Sequence, residues 1–425
     1  MNPGEGSNSG YVQRGMLLRE QRRYAEAEGF FRDALAQNPN DAFALMQLAG
    51  CQLQLPDRAK DALASIDRAL AIEPNDAIYH GMRAYILCRL DHPADALQSA
   101  RDGIAISPDS AFIFTAEAQA FLLMEKWAEA ETAARQALSF DADNSTAANQ
   151  LAQALRLQNK MAENAGQISG MLARDPEDAQ THCSAGWAAL QRGERQVAET
   201  HFLEALRLDP DSENARNGLL NSFRARSPLY RAYLAYSFRM QRLSRGARWG
   251  VIVGLYIAMR FSREIFTGTL APVGIAIGVL YALFVLWVWI AKGVGNFILM
   301  FDRVAKHALR RNEKIEACFV GGGITVGLLL LLIGFALQQE SLFIPGVALV
   351  ATAFPFSMTF TNSSKLGTYL FGAIGFTGLL AFVSLLLAAA IKNDTLGDIS
   401  LILFTIGAGG AVVSTWLGNI RKLRE

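Results

Sequence analysis

The sequence predicts an all-α protein, in which a solenoid of helix pairs is followed by a polytopic helical membrane domain. In the first half, prolines recur at steps of 34 residues, and an earlier one precedes the series by 35. They are Pro39, Pro74, Pro108, Pro176 and Pro210, with Ala142 in the one vacant place. In the second half, long apolar runs replace this period. A fixed period near 34 residues is typical of stacked helix pairs, and apolar runs of about 20 residues are long enough to cross a bilayer.

Each period places small residues where two helices must approach closely, with a bulky or apolar residue between them. The first unit has Gly15, Ala27, Phe31, Ala34 and Pro39, and the sixth has Gly186, Ala198, Phe202, Ala205 and Pro210 at the same intervals. Small residues permit close packing, and the proline ends one helix pair or opens the next turn.

This pattern resembles the tetratricopeptide repeat (TPR) family, in segments such as YAEAEGFFRDALAQNPND and VAETHFLEALRLDPDS. The resemblance implies about six helix–turn–helix repeats and a capping helix over residues 8–223, after a flexible N-terminus at 1–7. Two units depart from the pattern. The second has an extra residue near LPDRAKD, and the fifth has Asn164 at a packing position, so we expect the fifth repeat to be locally distorted.

In this family the first helix of each repeat lines a concave groove that holds a protein or peptide. Carried over by register, the groove candidates are Tyr85, Gln119, Asn149, Gln153, Arg156 and Trp187. Some family members clamp a partner's terminal carboxylate, but here the corresponding places hold Val12, Met16, Leu48, Ile78 and Met82. The remaining surface of amides and aromatics suits an extended or helical peptide. Alternatively, Tyr85 and Trp187 pack between repeats.

Charge divides the chain in two. Residues 1–223 carry 20 basic and 31 acidic side chains, whereas residues 224–425 carry 20 basic and 8 acidic ones. An acidic solenoid argues against nucleic acid as its ligand, because phosphate binding needs clustered Lys and Arg. The four scattered cysteines form no CxxC pair, and the start shows no secretory signal. No metal, cofactor or catalytic motif is apparent, so we expect no enzyme.

The membrane domain is predicted over residues 249–425, with about six transmembrane helices. Five runs lack ionisable residues between their ends: Leu270–Ala291, Ala317–Leu337, Leu342–Thr361, Leu366–Ile391 and Ile399–Ile420. A sixth, Trp249–Phe266, contains Arg260, Arg263 and Glu264, and we interpret Arg260 and Glu264 as a helical ion pair. Including it places the basic loop at 292–314 and the C-terminal tail on the cytosolic side, as the positive-inside tendency requires.

Residues 224–248 contain seven arginines and no acidic residue, interleaved with tyrosines. Arginine and tyrosine together suit the headgroup zone of an anionic inner leaflet. The predicted headgroup ligands are Arg224, Arg226, Arg231, Arg239, Arg242, Arg245 and Arg248. Nucleic-acid binding is the competing interpretation. A second amphipathic stretch, with Phe297, Met300, Phe301, Val304 and Ala308 on one face, predicts an in-plane interfacial helix.

The sequence thus predicts a membrane-anchored TPR scaffold or adaptor that recruits partner proteins at the cytosolic face of the inner membrane. Both termini are expected in the cytoplasm, and lipids of the anionic leaflet are expected partners. The alternative is a transport or channel module that a TPR arm regulates, because six spans exceed what anchoring requires. A homo-oligomer and a subunit of a larger membrane complex also remain open.

Overall fold

The computed structural model describes residues 5–266, 271–362, 364–391 and 394–417, and within these ranges the regular elements are helices, with no strand. By its Cα packing the chain divides into two compact units. The first unit holds the residues through Ala188, with Arg207–Pro210 and Gln241–Arg245. The second holds Ala189–Leu206, Asp211–Met240 and the residues from Gly246 onward.

Helix pairs follow one another through the predicted solenoid. The helices are α1 (Glu5–Glu20), α2 (Tyr24–Gln37), α3 (Ala42–Gln54), α4 (Ala59–Ile72), α5 (Ala77–Arg89), α6 (Pro93–Ile106), α7 (Ala111–Leu123), α8 (Trp127–Phe140), α9 (Ser145–Leu157), α10 (Met161–Arg174), α11 (Ala179–Arg192), α12 (Arg195–Leu208) and α13 (Glu213–Arg224). Odd-numbered helices are the first of each pair, and α13 is the predicted capping helix.

The first helix of several pairs begins at a side chain that caps it. Asp41 accepts a hydrogen bond from the Ala44 amide at 2.8 Å, and Asn144 accepts one from Ala147 at 2.9 Å. Asp76 and Ser212 act in the same way at the starts of α5 and α13. These short polar side chains satisfy backbone N–H groups that the helix leaves unpaired, which sets where each helix starts.

The turn inside each pair uses one residue in the left-handed backbone region. These residues are Arg22, Asp57, Asp91, Glu125, Asn159 and Gly193, with φ between 58° and 84°. Their spacing repeats the proline spacing, including the 35-residue first step that the extra residue in the second unit causes. The turn geometry is therefore constant along the array, although glycine occupies only the last position.

The small residues of the repeats lie at close helix contacts, as predicted. Ala27, Phe31 and Ala34 are fully buried in α2. A Cβ atom on Gly15 would lie 2.8 Å from the ring of Phe31, and one on Gly218 would lie 2.2 Å from Phe202. Side chains at these two glycines would displace an aromatic ring from the core, so the backbones approach too closely for alanine.

The fifth repeat is not distorted, which corrects the sequence-based expectation. Helix α10 has 14 residues, the length of α8 and α12. Asn164 is 1% exposed and donates a hydrogen bond from Nδ2 to the carbonyl of Ala152 at 2.6 Å. A polar side chain is tolerated at this packing position because the neighbouring helix supplies an acceptor.

Long apolar helices make up most of the second unit. They follow α14 (Pro228–Arg242) and are α15 (Arg245–Ile265), α16 (Ala271–Leu299), α17 (Arg311–Ala317), α18 (Gly323–Leu337), α19 (Phe343–Thr361), α20 (Lys365–Ile391) and α21 (Asp394–Leu417). A π-helical turn at Cys318–Gly322 joins α17 to α18, so the two run as one helix.

Among the described residues, four helices are long and apolar enough to cross a membrane. They are Ala271–Leu299, Arg311–Leu337, Phe343–Phe360 and Lys365–Ala388. Helix α15 carries Arg260 and Glu264, which pair at 2.8 Å as predicted. The apolar part of α21, Thr395–Gly410, is shorter. Whether α15 and α21 also cross stays a prediction.

The stretch after α16 does not form the expected in-plane helix. Helix α16 continues to Leu299, and a short 3-10 turn at Ala305–His307 precedes α17. Asp302 breaks the predicted face, because its carboxylate accepts hydrogen bonds from the amides of Val304 and Ala305. Phe301 and Val304 nevertheless stay 77% and 67% exposed, so the loop presents apolar side chains to its surroundings.

Glycines bring several membrane-length helices close together. A Cβ on Gly327 of α18 would lie 2.7 Å from Val350 and 2.9 Å from the carbonyl oxygen of Gly346, both in α19. A Cβ on Gly407 of α21 would lie 3.0 Å from the Cα of Gly378 in α20. Such contacts are typical of tightly packed membrane helices. By contrast, Gly250 and Gly254 of α15 have no neighbour within 4 Å of a Cβ.

Candidate functional site

The predicted groove residues lie on four successive first helices, but they differ in accessibility. Gln153 is exposed, whereas Tyr85, Gln119, Arg156 and Trp187 are partly buried and Asn149 is 6% exposed. Tyr85 packs against core clusters of the second and third repeats. The alternative that Tyr85 packs between repeats therefore has direct support, and Gln153 is the most accessible member of the set.

Asn149 joins two repeats. Its Nδ2 donates to the carbonyl of Ser145 at 3.0 Å and to the carboxylate of Asp178 at 3.3 Å. Its Oδ1 accepts from the Ser184 hydroxyl at 2.7 Å. A side chain whose donors and acceptor are used in this way holds the solenoid together, and a ligand would have to displace these bonds.

Arg156 and Trp187 come together around Cys183. Burial and, to a smaller extent, the like charge of Arg242 lower the pKa of Arg156 to about 10, while Cys183 opposes this shift. Burial raises the pKa of the Cys183 thiol to about 12, despite a hydrogen bond with Trp187. The thiol is therefore protonated at neutral pH and a poor nucleophile. Arg242 belongs to the segment Gln241–Arg245, which packs with the first unit of the chain.

The places that would form a carboxylate clamp are apolar in the structure as well. Val12 and Met16 pack beside the buried cluster that contains Phe31 and Leu48. Met82 packs beside the next buried cluster, which contains Leu45 and Ile66. Ile78 is 54% exposed. These side chains offer no charge to a terminal carboxylate.

Arg224 is not a headgroup ligand, which corrects the prediction. It is 5% exposed, and its Nε and Nη2 donate to Asn296 Oδ1 at 2.9 and 2.6 Å. Its Nη1 donates to Asn221 Oδ1 at 3.1 Å, and the same oxygen accepts from the Tyr230 hydroxyl at 2.8 Å. The guanidinium is therefore held between the capping helix and α16.

The other six arginines of the predicted headgroup set differ among themselves. Arg231 and Arg239 are exposed on α14, and Arg242 and Arg248 are partly buried. Arg226 pairs with Asp302 and, at 3.4 Å, with Glu199. The Arg245 side chain lies outside the described residues. Arg231 and Arg239 thus remain the clearest candidates for lipid headgroups.

A buried polar cluster, which the sequence analysis did not predict, connects the capping helix to the long apolar helices. Asn296 Nδ2 donates to Glu316 Oε2 at 3.3 Å, and Glu316 is only 1% exposed. Nearby, Arg216 of α13 pairs with Glu313 of α17 at 2.9 Å. Arg310 pairs with Glu213. We call Asn221, Arg224, Tyr230, Asn296 and Glu316 the buried polar cluster.

One sequence signal does point to this cluster. Asn296 is a carboxamide within an otherwise apolar run, and Glu316 directly precedes the apolar run of α18. Polar residues at such positions are rare and usually have partners. The partner Arg224 lies 72 residues before Asn296, and nothing in its local sequence separates it from the neighbouring arginines.

The second unit also encloses an apolar cavity of about 880 Å³. Its walls come from α14, α16, α18, α19 and α21, and the lining includes Tyr233, Leu283, Phe284, Trp287 and Phe354. Among the described residues that line it there is no carboxylate, lysine or arginine. The cavity is suited to hydrocarbon and unsuited to a hydrated ion.

Comparison with known proteins gives matches in two parts of the chain. One tetratricopeptide repeat family model matches residues 18–86, and a second matches residues 115–179. No curated protein matches the chain.

Solved structures of repeat proteins resemble about half of the chain. PilF of Pseudomonas aeruginosa is 19% identical, with a TM-score of 0.42, over 50% of this chain and 97% of PilF. PilW, a type IV pilus biogenesis factor, is 20% identical with a TM-score of 0.43, over 50% and 98%. YrrB, a TPR protein with an unusual peptide-binding site, is 19% identical with a TM-score of 0.33, over 44% and 96%.

Proposed function

Because the N-terminal half of this chain consists of tetratricopeptide repeats, we propose that the protein is a membrane-anchored scaffold that recruits a partner protein at the cytosolic face of a membrane. The observation that carries this proposal is the presence, in one chain, of a repeat array and four helices of membrane-spanning length. Repeat arrays bind proteins or peptides along an extended surface. Membrane-spanning helices would confine that surface to the bilayer.

The groove offers non-covalent contacts for a peptide, with no catalysed reaction. Gln153 is exposed on α9, and Gln119 on the preceding repeat is partly buried and accepts a hydrogen bond at 3.2 Å from the buried Gln150. A peptide backbone that approaches these amides finds both donors and acceptors. Binding of this kind needs no metal, cofactor or nucleic acid, and we propose that the protein is not an enzyme.

A photo-crosslinking experiment tests the groove directly. A photoreactive amino acid is placed at Gln153 in the full-length protein in its native membrane. The matched control places it at Gln136, an exposed glutamine on α8, the second helix of a pair. We expect a discrete protein adduct from Gln153 and none from Gln136, because first helices line the groove.

The reverse pattern would contradict the proposal that the partner binds in the groove. An adduct at Gln136 alone would move the binding surface to the opposite face of the array. If neither position gave an adduct while a position on α14 or α16 did, the partner would bind the second unit.

The transport alternative has less support. It calls for a water-accessible path with polar walls, and the large cavity of the second unit has apolar walls. Asn296 and Glu316 are the buried polar side chains such a path would use, but they bond to each other, and Asn296 accepts from Arg224. This arrangement favours a structural joint over a coupling site.

A further inference from the structure

A second, smaller cavity lies beside the apolar one and differs from it in chemistry. It has a volume of about 270 Å³ and is lined by Arg224, Arg226, Ser227 and Asp302, among others. The side chain of Trp287 lines both cavities. The two spaces are therefore adjacent, with one polar end and one apolar end.

The order of the two cavities along α16 is fixed by the residues that line them. The apolar cavity uses residues of α16 from Leu280 to Ile290, and the polar one uses Trp287 to Leu299 and then Asp302. The polar end is thus towards the loop after α16, which the charge pattern places at the cytosolic surface. The apolar end follows α16 into the region that would lie in hydrocarbon.

From this arrangement we propose that the paired cavities bind one anionic membrane phospholipid of the inner leaflet, with its phosphate at Arg226 and Ser227 and an acyl chain in the apolar cavity. The membrane location rests on the proposed function; the site itself is additional to it.

Charge favours an anionic head at the polar end. Arg226 and the Ser227 hydroxyl line that cavity together with the carboxylate of Asp302, and the guanidinium of Arg224, which Asn296 and Asn221 hold, adds a second positive charge. Arg226 retains 39% side-chain exposure although it pairs with Asp302 and Glu199. Guanidinium groups bind phosphate through charge-assisted hydrogen bonds, and an exposed arginine has donors to spare.

Burial favours hydrocarbon at the other end. The cavity of about 880 Å³ is partly open, and its walls are aliphatic and aromatic. An extended peptide would bring backbone N–H and C=O groups into this space without partners, at a cost of several kcal/mol each. An acyl chain has no such groups.

Lipid retention tests the proposal on the full-length protein. The protein is purified in detergent with added phosphatidylglycerol or phosphatidylcholine, washed, and the retained lipid is measured by mass spectrometry. Ala351→Leu and Ala232→Leu fill the apolar cavity from two different helices. Ala282→Leu is the matched control, because Ala282 is exposed on α16 and does not line the cavity.

We expect the parent protein and Ala282→Leu to retain a stoichiometric amount of phosphatidylglycerol, and both cavity variants to lose it. Arg226→Gln should weaken phosphatidylglycerol retention about tenfold, because a charge-assisted contact to phosphate is lost. Thermal unfolding of each variant identifies those that fail to fold. If one of the two cavity variants fails to fold, the other still tests the proposal.

Three results would overturn the proposal. Equal retention of both lipids in all variants would mean annular lipid only. Retention of a free fatty acid in place of phospholipid would assign the site to a different amphiphile. Absence of any retained lipid in the parent protein would leave the cavities without this role. None of these results would affect crosslinking at Gln153, so the scaffold proposal is tested separately.

Discussion

Glu131 is a carboxylate buried within the solenoid and bound from three sides. It is 3% exposed and accepts hydrogen bonds from Lys160 Nζ at 2.8 Å and Gln158 Nε2 at 2.5 Å, and it pairs with Arg135. Burial alone would raise its pKa, but the hydrogen bonds from Lys160 and Gln158 and the neighbouring charges outweigh burial, and the pKa is lowered. The ionised form therefore stabilises the folded state.

The sign of this shift predicts how stability depends on pH. A carboxylate whose pKa is lower in the folded state contributes stability above its unfolded pKa of about 4.3, and the contribution is lost as pH falls through the folded pKa. Glu131→Gln should cost about 1–3 kcal/mol at pH 7, because Lys160 and Arg135 lose a charged acceptor. The cost should shrink below about pH 4.

Thermal unfolding of the full-length protein, followed by circular dichroism between pH 7 and pH 3.5, measures this effect. Glu129→Gln, at an exposed position in the first turn of α8, is the control and should change little. If the cost of Glu131→Gln were the same at both ends of the pH range, the ionised carboxylate would not be the stabilising form.

The left-handed turn residues could not be predicted from the sequence. The left-handed turn residues recur with the repeat, yet Arg22 and Glu125 do not have the sequence signature of such a turn. Glycine is the residue that normally marks this conformation, because it has no Cβ to clash. Here the helix packing on both sides imposes the turn, so composition alone does not predict it.

At the scale of helices, the buried polar cluster joins α13 and α14 to α16 and α17. Close backbone approach supports the joint, since a Cβ on Gly295 would lie 3.0 Å from Arg224 and 3.3 Å from Tyr230. A charged side chain that is this deeply buried depends on every partner. The joint should therefore be sensitive to the loss of a single member.

Asn296→Leu removes the acceptor of Arg224 and should destabilise the protein by about 3 kcal/mol or more, because a guanidinium is left buried without it. Combining it with Arg224→Met should recover part of the loss, with a coupling of about 0.5–3 kcal/mol. Arg231→Met, on an exposed arginine of α14, should stay within about 0.5 kcal/mol. Denaturation of the detergent-solubilised protein measures the stability of the two single cluster variants, of their combination and of Arg231→Met. Strict additivity of the two cluster substitutions would refute an energetic link.

The helices could be predicted from the sequence, whereas the side-chain contacts between them could not. Periodicity and apolar runs place α2 to α13, α16 and α18 to α20 close to where they lie, because these patterns are local properties of the chain. The seven arginines of residues 224–248 form one class in the sequence, whereas Arg224 is buried and Arg231 is exposed. Which arginine meets Asn296 depends on contacts 72 residues apart.

For the whole molecule, charge and apolar length together predict a topology. The acidic half has a net charge of −11 and the other half +12, and the basic residues of the second half concentrate at 224–248 and 292–314. The positive-inside tendency places both basic regions in the cytosol. That requires an even number of crossings between them, and hence that α15 crosses as well as α16.

Cysteine accessibility tests this topology. In a chain without its native cysteines, single cysteines replace Asp109 in the solenoid, Lys306 in the loop after α16, or Gln338 after α18. Asp109, Lys306 and Gln338 are exposed. A membrane-impermeant maleimide should label positions 109 and 306 from the same side and position 338 from the other, because two crossings separate the first pair and one further crossing reaches the third. Labelling of 306 and 109 from opposite sides would mean that α15 stays at the surface, where Arg260 and Glu264 would then face water.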